Sequence, residues 1–370
     1  MTIVIVAGTR PEIVKVSPLI TALGKVEDVR FVLTGQHNDY EMSRRFVEEL
    51  KLPDPFLSFE LERTTPASQI GEIMTKLEDS LSTMEVELLV VQGDTNAMLA
   101  SALSGVKLQI PVAHVEAGLR SYDWRMPEEH NRRMVDHISN LLFAPTERSK
   151  RNLVEEHVFG EVFVTGNTVI DAVNRHMPLA QSVSHIMKDV KSTEFALATI
   201  HRAENVDSME VMEGLVSALL DSPIPVVFPV HPRTANRLRQ SGLYERLAGS
   251  SRVQLLPPVG YFDMLLLMRN CRFIMTDSGG IQEEATAASV RKTVLVLRRS
   301  TERPEAVEAG FAHLVGLKKE TILEAAKQLL MHPPVLPSFS PFGQGKAAQE
   351  IASIIVSKRR NAFEAQSGAS

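Results

Sequence analysis

The sequence predicts an α/β protein built from two doubly wound parallel sheets. Short apolar, β-branched runs alternate with longer amphipathic stretches, which is the pattern of parallel βαβ units. The series of runs restarts in the second half of the chain, and 370 residues are enough for two such domains. Polar clusters follow the runs directly, and parallel sheets bind ligands at the carboxyl ends of their strands. We therefore expect a ligand site in a cleft between two domains.

Twelve strand-like runs define the two series. In the first half they cover residues 3–7, 31–34, 88–92, 112–116, 141–144 and 162–165. In the second half they cover residues 195–200, 225–230, 253–256, 273–276, 293–297 and 313–315. Helical patterns lie between them, for example at 11–23 and 67–81. We predict domains at 1–168 and 169–342, a last helix at 343–360 and a disordered tail at 361–370.

Composition and charge exclude several classes of protein. A net charge of −5 and a pI of about 6.2 argue against a general nucleic-acid binder. The amino terminus lacks the basic segment of a signal peptide, and no uncharged stretch reaches membrane-spanning length, so we predict a cytoplasmic protein. The single cysteine, Cys271, begins an apolar run, which favours a buried structural thiol over a nucleophile.

The first polar cluster, Gly8-Thr9-Arg10-Pro11-Glu12, follows the first strand-like run. Pro11 suits the first turn of the helix that begins there. Arg10 directly follows the strand, which makes it a candidate contact for a diphosphate. Lys15 either faces the same site or only solvates the helix, and the sequence leaves both interpretations open.

Three carboxylates are the candidates for acid–base chemistry. Asp94, Glu116 and Glu128 each lie at a strand end or a helix start. Asp and Glu side chains are rarely buried unless they are paired. Asp94 is also a credible helix cap, and Glu128 could simply favour a helix dipole. Glu128 and Arg132 are four residues apart, so they could pair, either functionally or as a surface salt bridge. The nearby Arg120 favours a functional interpretation.

The histidines indicate phosphate recognition more than metal binding. His201 heads the cluster His-Arg-Ala-Glu-Asn at the end of a strand-like run, where it could donate to a phosphate oxygen or steady a leaving group. His231 follows the next run in the same way. No metal site is expected, because no His-Glu-x-x-His or similar ligand spacing occurs among His37, His114, His130 and His201.

Two clusters of the second half suit an anionic ligand. Ser278-Gly279-Gly280 lies between a strand-like run and a helix, where glycines let backbone amides approach phosphate oxygens. By itself this segment could be a plain strand-to-helix turn with Ser278 as the cap. Arginines at 298, 299 and 303 suit bidentate recognition of phosphates or a carboxylate. The dinucleotide fingerprint G-x-G-x-x-G is absent, so no nicotinamide cofactor is expected.

An ordered set of motifs runs from about residue 3 to about residue 355. The motifs are GTRPE, TGQH, QGDTN, HVEAGLRS, PEEHNR, HRAEN, DSGGIQEE and TERPEAV. This set resembles the non-hydrolysing UDP-N-acetylglucosamine 2-epimerases. The resemblance implies the glycosyltransferase-B fold, with two Rossmann-like domains facing a cleft and a last helix that packs back on the first domain. It also implies a homodimer.

The resemblance further implies a reaction and a set of site residues. The reaction is the inversion of C2 of UDP-N-acetylglucosamine, without a cofactor, by elimination of UDP to 2-acetamidoglucal and re-addition. The matching catalytic positions are Asp94, Glu116, Glu128, Arg132 and His201. The predicted UDP-sugar-binding positions are Arg10, Lys15, His231, Ser278, Gly279, Gly280, Glu284 and Arg303.

Four other functions stay open on the sequence. The substrate could be a modified UDP-sugar, such as a diacetamido uronic acid or a deoxy sugar. The chain could instead be a glycosyltransferase of the same fold, a hydrolysing epimerase that releases free N-acetylmannosamine, or a UDP-sugar sensor without catalysis. The segment 37–39 departs from the form that bacterial relatives use at a second, allosteric site, so the sequence leaves activation by substrate open.

Overall fold

A computed structural model describes residues 2–36 and 46–367, so the segment 37–39 lies outside the described residues. The chain divides into unit 1 (Met1–Ala172 with Gly343–Ser370) and unit 2 (Val173–Phe342). The sequence-based boundary at 168/169 and this boundary at 172/173 fall in the same helix, Thr168–Val183.

Unit 1 contains a seven-stranded sheet with the order β3-β2-β1-β4-β5-β6-β7, and all neighbouring strands are parallel. Its strands are buried and rich in valine, isoleucine and leucine, as expected when helices cover both faces of a parallel sheet. The strands are β1 (Thr2–Ala7), β2 (Asp28–Gln36), β3 (Leu57–Leu61), β4 (Val86–Gln92), β5 (Val112–Val115), β6 (Leu141–Ala144) and β7 (Glu161–Val164).

Unit 2 contains a six-stranded parallel sheet with the order β10-β9-β8-β11-β12-β13. Its core packs apolar side chains of the strands against flanking helices. The strands are β8 (Ala196–Thr199), β9 (Val226–Pro229), β10 (Val253–Leu256), β11 (Ile274–Thr276), β12 (Val294–Val296) and β13 (Ala312–Leu314).

The helices connect successive strands of each sheet. In unit 1 they are α1 (Arg10–Leu23), α2 (Pro66–Leu81), α3 (Asn96–Lys107), α4 (Pro127–Ile138) and α5 (Glu147–Glu155), and α6 (Thr168–Val183) continues into unit 2. In unit 2 they are α7 (Ala203–Val206), α8 (Met209–Leu220), α9 (Pro232–Gln240), α10 (Leu243–Ala248), α11 (Tyr261–Asn270), α12 (Gly279–Glu284), α13 (Pro304–Glu308) and α14 (Lys319–Met331), with a 3₁₀ turn at Ile186–Lys188. Throughout the described part of the chain, every helix is too short or too polar to span a bilayer.

Both sheets show the doubly wound strand order, so the predicted fold class is confirmed. In each sheet the first strand of the series lies in the middle, and the chain moves outward first to one side and then to the other. The order reverses between β1 and β4 in unit 1 and between β8 and β11 in unit 2. Ligands of such sheets bind outside the carboxyl ends of the strands at this point.

Each of the twelve predicted runs overlaps an observed strand, but β3 was not predicted. Its sequence, Leu-Ser-Phe-Glu-Leu, is partly polar and lies at the sheet edge beside β2, where four of its five residues are only partly buried. An edge strand of this kind carries little of the continuous apolar signal that marks the central strands. Cys271 is buried as predicted, and burial raises the pKa of its thiol to about 12.

The last helix, α15, runs from Ala347 to Ser367 and belongs to unit 1, where it packs against α1. Its first turn is anchored by Asp171, which accepts hydrogen bonds from the backbone amides of Ala347 (3.2 Å) and Ala348 (3.0 Å). The helix therefore extends beyond the predicted end at residue 360. The sequence contains no glycine or proline between positions 346 and 367, so nothing ends the helix earlier.

Candidate functional site

The turns after β1 and β4 are joined by Glu12 at the switch point of unit 1. Its carboxylate accepts hydrogen bonds from the backbone amides of Gly8 and Thr9, both at 2.7 Å, and from the Thr95 hydroxyl at 2.6 Å. Glu12 is buried, and burial raises the pKa of this carboxyl. The linkage fixes the position of Arg10, the first residue of α1, relative to the turn after β4.

Glu116 directly follows β5 in a backbone conformation that non-glycine residues rarely adopt, with φ at +72°. Strained residues of this kind concentrate at functional sites. Its side chain is buried, and the Lys15 ammonium contacts both carboxylate oxygens at 2.6 and 2.7 Å. Gln92 donates a short hydrogen bond to Oε2, and Asn167 donates to Oε1 at 3.3 Å. The Lys15 ammonium, which was predicted to contact the ligand, thus forms an ion pair with a carboxylate of the protein.

Asp94 lies in the turn after β4, beside a glycine whose φ is +85°. Arg132 donates two hydrogen bonds to Oδ2 of Asp94, from Nε at 3.0 Å and from Nη2 at 2.5 Å. Asn131 donates to the backbone carbonyl of Asp94 at 2.9 Å. Oδ1 accepts no hydrogen bond within residues 2–36 and 46–367, and the side chain is 28% exposed. Asp94 therefore presents one carboxylate oxygen, held in place by a buried arginine.

The pairing of Glu128 with Arg132 that the helical spacing allowed does not form in the described part of the chain. Arg132 binds Asp94 and the neighbouring Glu129, whose Oε2 lies 2.9 Å from Nη1. Glu129 is fully buried and also accepts hydrogen bonds from the backbone and side chain of Ser121, both at 2.9 Å. Glu128 is exposed on the first turn of α4 and makes no ion pair or hydrogen bond in the described part of the chain. Arg132 is buried and therefore pairs with Glu129, the glutamate on the buried side of the helix.

His114 and Arg120 belong to a buried ion-pair network rather than to an open site. Asp136 accepts from His114 Nδ1 at 2.7 Å and pairs with Arg120 Nη1 at 2.7 Å, and Arg120 also pairs with Glu156. Burial would raise the pKa of Asp136, but hydrogen bonding and charge from His114 and Arg120 lower it. His114 Nε2 lies 2.9 Å from the carbonyl oxygen of Gly93, so the network supports the turn that carries the Asp94 side chain.

In unit 2, Asp277 organises the switch point after β8 and β11. Its buried carboxylate accepts hydrogen bonds from the backbone amides of His201 (3.1 Å) and Arg202 (3.0 Å) and from the Asn205 side chain (3.0 Å). The ring of His201 lies 3.8 Å from Asp277 through Nε2 and is 6.0 Å from the ring of His231. Burial lowers the pKa of His201, and Asp277 acts in the opposite direction.

The glycine turn lies beside the carboxylate of Glu302. Ser278 caps α12 by accepting from the backbone amide of Ile281 at 3.5 Å. Gly279 is buried, and a Cβ added there would lie 3.3 Å from Oε1 of Glu302. Among the residues that the structure describes, a Cβ added to Gly280 would meet only the Ser278 hydroxyl, at 3.9 Å, so these residues leave space for a ligand there.

The other predicted binding residues of unit 2 are Arg303, His231 and Glu284. Arg303 is buried, and its Nε donates a short hydrogen bond to Glu283, so this fork is held by the protein. His231 is exposed and is the N-cap of α9, where its Nδ1 accepts from the Arg233 amide at 3.3 Å. Glu284 is partly exposed at the end of α12.

Each unit therefore gathers its own predicted residues at the carboxyl edge of its own sheet. Unit 1 holds Arg10, Lys15, Asp94, Glu116, Glu128 and Arg132. Unit 2 holds His201, His231, Ser278, Gly279, Gly280, Glu284 and Arg303. Within residues 2–36 and 46–367, no group of three or more His, Cys, Asp or Glu side chains is arranged to hold a metal ion.

Comparison with known proteins decides the family. The family model described as UDP-N-acetylglucosamine 2-epimerase matches residues 22–356. The chain belongs to this family. The UDP-N-acetylglucosamine 2-epimerase of Methanocaldococcus jannaschii is 41% identical over 365 residues, which cover 96% of this chain and 99% of the relative.

Other members of the UDP-N-acetylglucosamine 2-epimerase family give the same result. The crystal structure of the M. jannaschii enzyme in complex with UDP-GlcNAc and UDP matches with a TM-score of 0.87 and 40% identity, covering 96% of this chain and 99% of that one. A relative from Pseudomonas aeruginosa, a UDP-2,3-diacetamido-2,3-dideoxy-D-glucuronate 2-epimerase, is 35% identical over 95% of this chain and 98% of its own length. This chain is thus an isomerase of the epimerase type.

Three carboxylates of this epimerase, each with several hydrogen bonds near the site, were not predicted from the sequence. Glu129 could have been found, because it shares one helical face with Arg132 and Asp136, three and seven residues later. Asp277 was quoted only as part of the glycine cluster, and Glu302 only as part of the arginine cluster. The partners of Asp277 in the turn after β8 lie more than 70 residues away along the chain, and Arg202 lies 100 residues from Glu302, so sequence spacing carries no signal for these contacts. The contact of Glu302 with Arg298 is local, at four residues.

Proposed function

We propose that this chain inverts C2 of UDP-N-acetylglucosamine to give UDP-N-acetylmannosamine. The observation that carries the proposal is the pair of carboxylates that follow β4 and β5, each held by its own cation. Lys15 holds Glu116 and Arg132 holds Asp94. Family membership and the M. jannaschii complex with UDP-GlcNAc and UDP support the choice of ligand.

The reaction is an elimination followed by an addition. The C1–O bond breaks as a carboxylate takes the C2 proton, C1 and C2 become doubly bonded, and UDP leaves with the electron pair. UDP then adds back to C1 of the 2-acetamidoglucal, while C2 receives a proton on the opposite face. The sequence is redox-neutral, so it consumes no nicotinamide. Loss of UDP builds positive charge at C1 and loosens the C2–H bond, which makes this proton removable.

Asp94 and Glu116 are proposed for the two proton transfers. Asp94 suits the role because Oδ1 is available while Arg132 fixes Oδ2. Glu116 suits it because the strained backbone and Lys15 hold it rigidly, and Lys15 can move its hydrogen bonds to a bound substrate. Glu128 is the rival, since it is exposed and binds no other residue in the described part of the chain.

The unit 2 cluster is proposed to hold UDP. The turn at Ser278–Gly280 and the cations around it would stabilise the charge on the departing diphosphate, and His201 would donate to it. Glu284 would accept hydrogen bonds from ribose hydroxyls.

Incubation with UDP-N-acetylglucosamine alone in heavy water tests the proposal. We expect UDP-N-acetylmannosamine that carries one deuterium at C2, because the departing proton exchanges with solvent. Product without deuterium at C2 would contradict the elimination. A requirement for an acceptor would indicate a glycosyltransferase, and free N-acetylmannosamine with UDP would indicate a hydrolysing epimerase.

The carboxylate roles can be separated by starting from each epimer. C2-deuterated UDP-GlcNAc and UDP-ManNAc are incubated separately in ordinary water with D94N, E116Q or E128Q, and loss of deuterium is followed by mass spectrometry. A residue that takes the proton from one face should block washout from one epimer far more than from the other. Equal washout with D94N and wild type from both epimers would remove Asp94 from the scheme.

A modified UDP-sugar is the second candidate substrate, and the 35% identical P. aeruginosa relative is the observation that favours it. A panel that includes UDP-N-acetylglucosamine and UDP-2,3-diacetamido-2,3-dideoxy-D-glucuronate decides between them by the ratio of kcat/KM for C2 inversion. A ratio above one for the diacetamido sugar would replace the first proposal.

We also propose that the protein is a homodimer, as the family resemblance implies. Unit 1 exposes several large apolar side chains, including Phe159 (67%), Met134 (45%) and Val106 (41%), which self-association could cover. Light scattering on the purified protein tests this proposal. A mass near 41.0 kDa, that of one chain, would refute it.

A further inference from the structure

Arg202 is held by hydrogen bonds from its backbone amide and from one nitrogen of its guanidinium group. Its backbone amide donates to Asp277 at 3.0 Å, and its Nη2 donates to Oε1 of Glu302 at 2.7 Å. Nε and Nη1 make no hydrogen bond with any residue in 2–36 or 46–367, and the side chain is 24% exposed. Several guanidinium donors are therefore held in one place without an acceptor from the protein.

Glu302 is a buried carboxylate placed among arginines. Its second oxygen accepts from Nη1 of Arg298 at 2.5 Å. Burial alone would raise its pKa, but the charges of Arg202, Arg303 and Arg298 hold the pKa of this carboxyl far below its ordinary value. The carboxylate is thus permanently ionised and binds two guanidinium groups from different segments, β8–α7 and β12–α13.

The pair formed by Arg202 and Glu302 lies directly on the glycine turn. A Cβ added to Gly279 would be 3.3 Å from Oε1 of Glu302 and 3.8 Å from Nη2 of Arg202. A carboxylate at this distance would by itself repel an anionic ligand of the turn. Its two guanidinium partners offset this repulsion. Arg298 also pairs with Glu204 at 3.3 Å, so Arg202 is the cation of this group that lies next to the turn.

We propose that Arg202 binds a phosphate of the nucleotide and that Glu302 is the positioning residue that holds the Arg202 fork. This inference rests on the proposed function, which supplies UDP as the ligand. Glu302 occupies Nη2, the nitrogen nearest to Gly279, and leaves Nε and Nη1 without a partner in residues 2–36 and 46–367. An arginine fixed in this way loses little side-chain entropy on binding, which strengthens bidentate phosphate recognition.

Calorimetric titration of R202Q with UDP and with uridine tests the role of Arg202. Uridine lacks the phosphates, so it reports every other contact of the nucleotide. We expect R202Q to weaken UDP binding about 10–100-fold, the range for a hydrogen bond to a charged group, and to leave uridine binding unchanged. R237Q is the matched control, because Arg237 is a half-exposed arginine of unit 2 paired with Asp207; it should bind both ligands as wild type does.

Glu302 is tested by a double-mutant cycle. E302Q keeps the shape of the side chain but loses its charge, and we expect UDP binding to weaken about 3–10-fold with uridine unaffected. The R202Q/E302Q double variant should bind UDP no more weakly than R202Q alone, because Glu302 acts through Arg202. R202K should weaken UDP binding less than R202Q, since it keeps the charge without the fork.

The outcomes separate this inference from the proposed function. Wild type that does not bind UDP would refute the proposed function. Wild type that binds UDP, together with a folded R202Q that binds it equally well, would refute only the role of Arg202. An R202Q that weakens UDP and uridine equally would also refute it, because the arginine would then be structural. Additive effects of R202Q and E302Q would refute the positioning role of Glu302.

Discussion

His176 provides the sharpest prediction about stability, because it is a buried histidine without hydrogen bonds. It lies in α6 with 2% of its surface exposed, and neither ring nitrogen has a partner in the part of the chain that the structure describes. The ring packs edge-on against Tyr261 of α11 at 5.9 Å. Burial and then the charge of Arg175 lower the pKa of His176 from 6.5 to about 4.

The sign of the pH effect follows from proton uptake. Between pH 6.5 and pH 4 the unfolded chain binds a proton at this position and the folded chain does not, so stability falls as the pH falls through this window. With these two pKa values, the loss from pH 7.5 to pH 5 is about 2 kcal/mol. Below pH 4 the loss approaches about 3 kcal/mol, because both states are then protonated.

The perturbation is His176→Leu, which places an apolar side chain of similar volume at this position of the helix and removes the titration. Urea denaturation at pH 7.5 and pH 5, followed by circular dichroism, gives the loss of stability for each protein. Wild type should lose about 2 kcal/mol more than H176L over this range. The same substitution at exposed His332 should leave the wild-type loss unchanged. Trp124, the single tryptophan, lies in unit 1, so its fluorescence reports the unfolding of that unit separately.

Two results would refute this reasoning. Equal losses for wild type and H176L between pH 7.5 and pH 5 would mean that the folded ring accepts a proton as readily as the unfolded one. An H332L that reduced the loss as much as H176L would mean that the effect does not come from burial.

Three further predictions concern unit 1. Glu129→Gln should lower stability by about 2–4 kcal/mol in urea denaturation, because a buried hub of hydrogen bonds loses its charge, whereas Glu128→Gln should leave the urea midpoint unchanged and act only on turnover. Gly118→Ala should cost at least about 2 kcal/mol of stability by the same assay, since φ is +82° and an added Cβ would overlap a neighbouring backbone carbonyl; a wild-type midpoint would contradict this. Lys15→Met should reduce kcat at least about 100-fold in a coupled assay of UDP-GlcNAc turnover, because it removes the cation from both oxygens of Glu116, and a change in KM alone would assign it to binding.

The sequence determined the fold class because the signal is local and repeated. The central strands are continuous apolar runs, as strands covered on both faces must be, and each is followed by a polar turn. The predicted positions of Asp94, Glu116 and His201 at carboxyl ends of strands followed from this pattern alone. The partly polar edge strand Leu57–Leu61 was not predicted from this pattern, because its burial depends on pairing with β2 and not on its own composition.

Only the tertiary structure decided which charged groups meet. Lys15 and Glu116 are 101 residues apart in the chain, and Asp94 and Arg132 are 38 apart. Their pairing depends on the order in which strands add to the sheet, and that order leaves no periodic trace in the sequence. Arg132 shows the limit most clearly: helical spacing permits both Glu128 and Glu129 as partners, and burial against the sheet selects Glu129 because an unpaired buried carboxylate is far more costly than an exposed one.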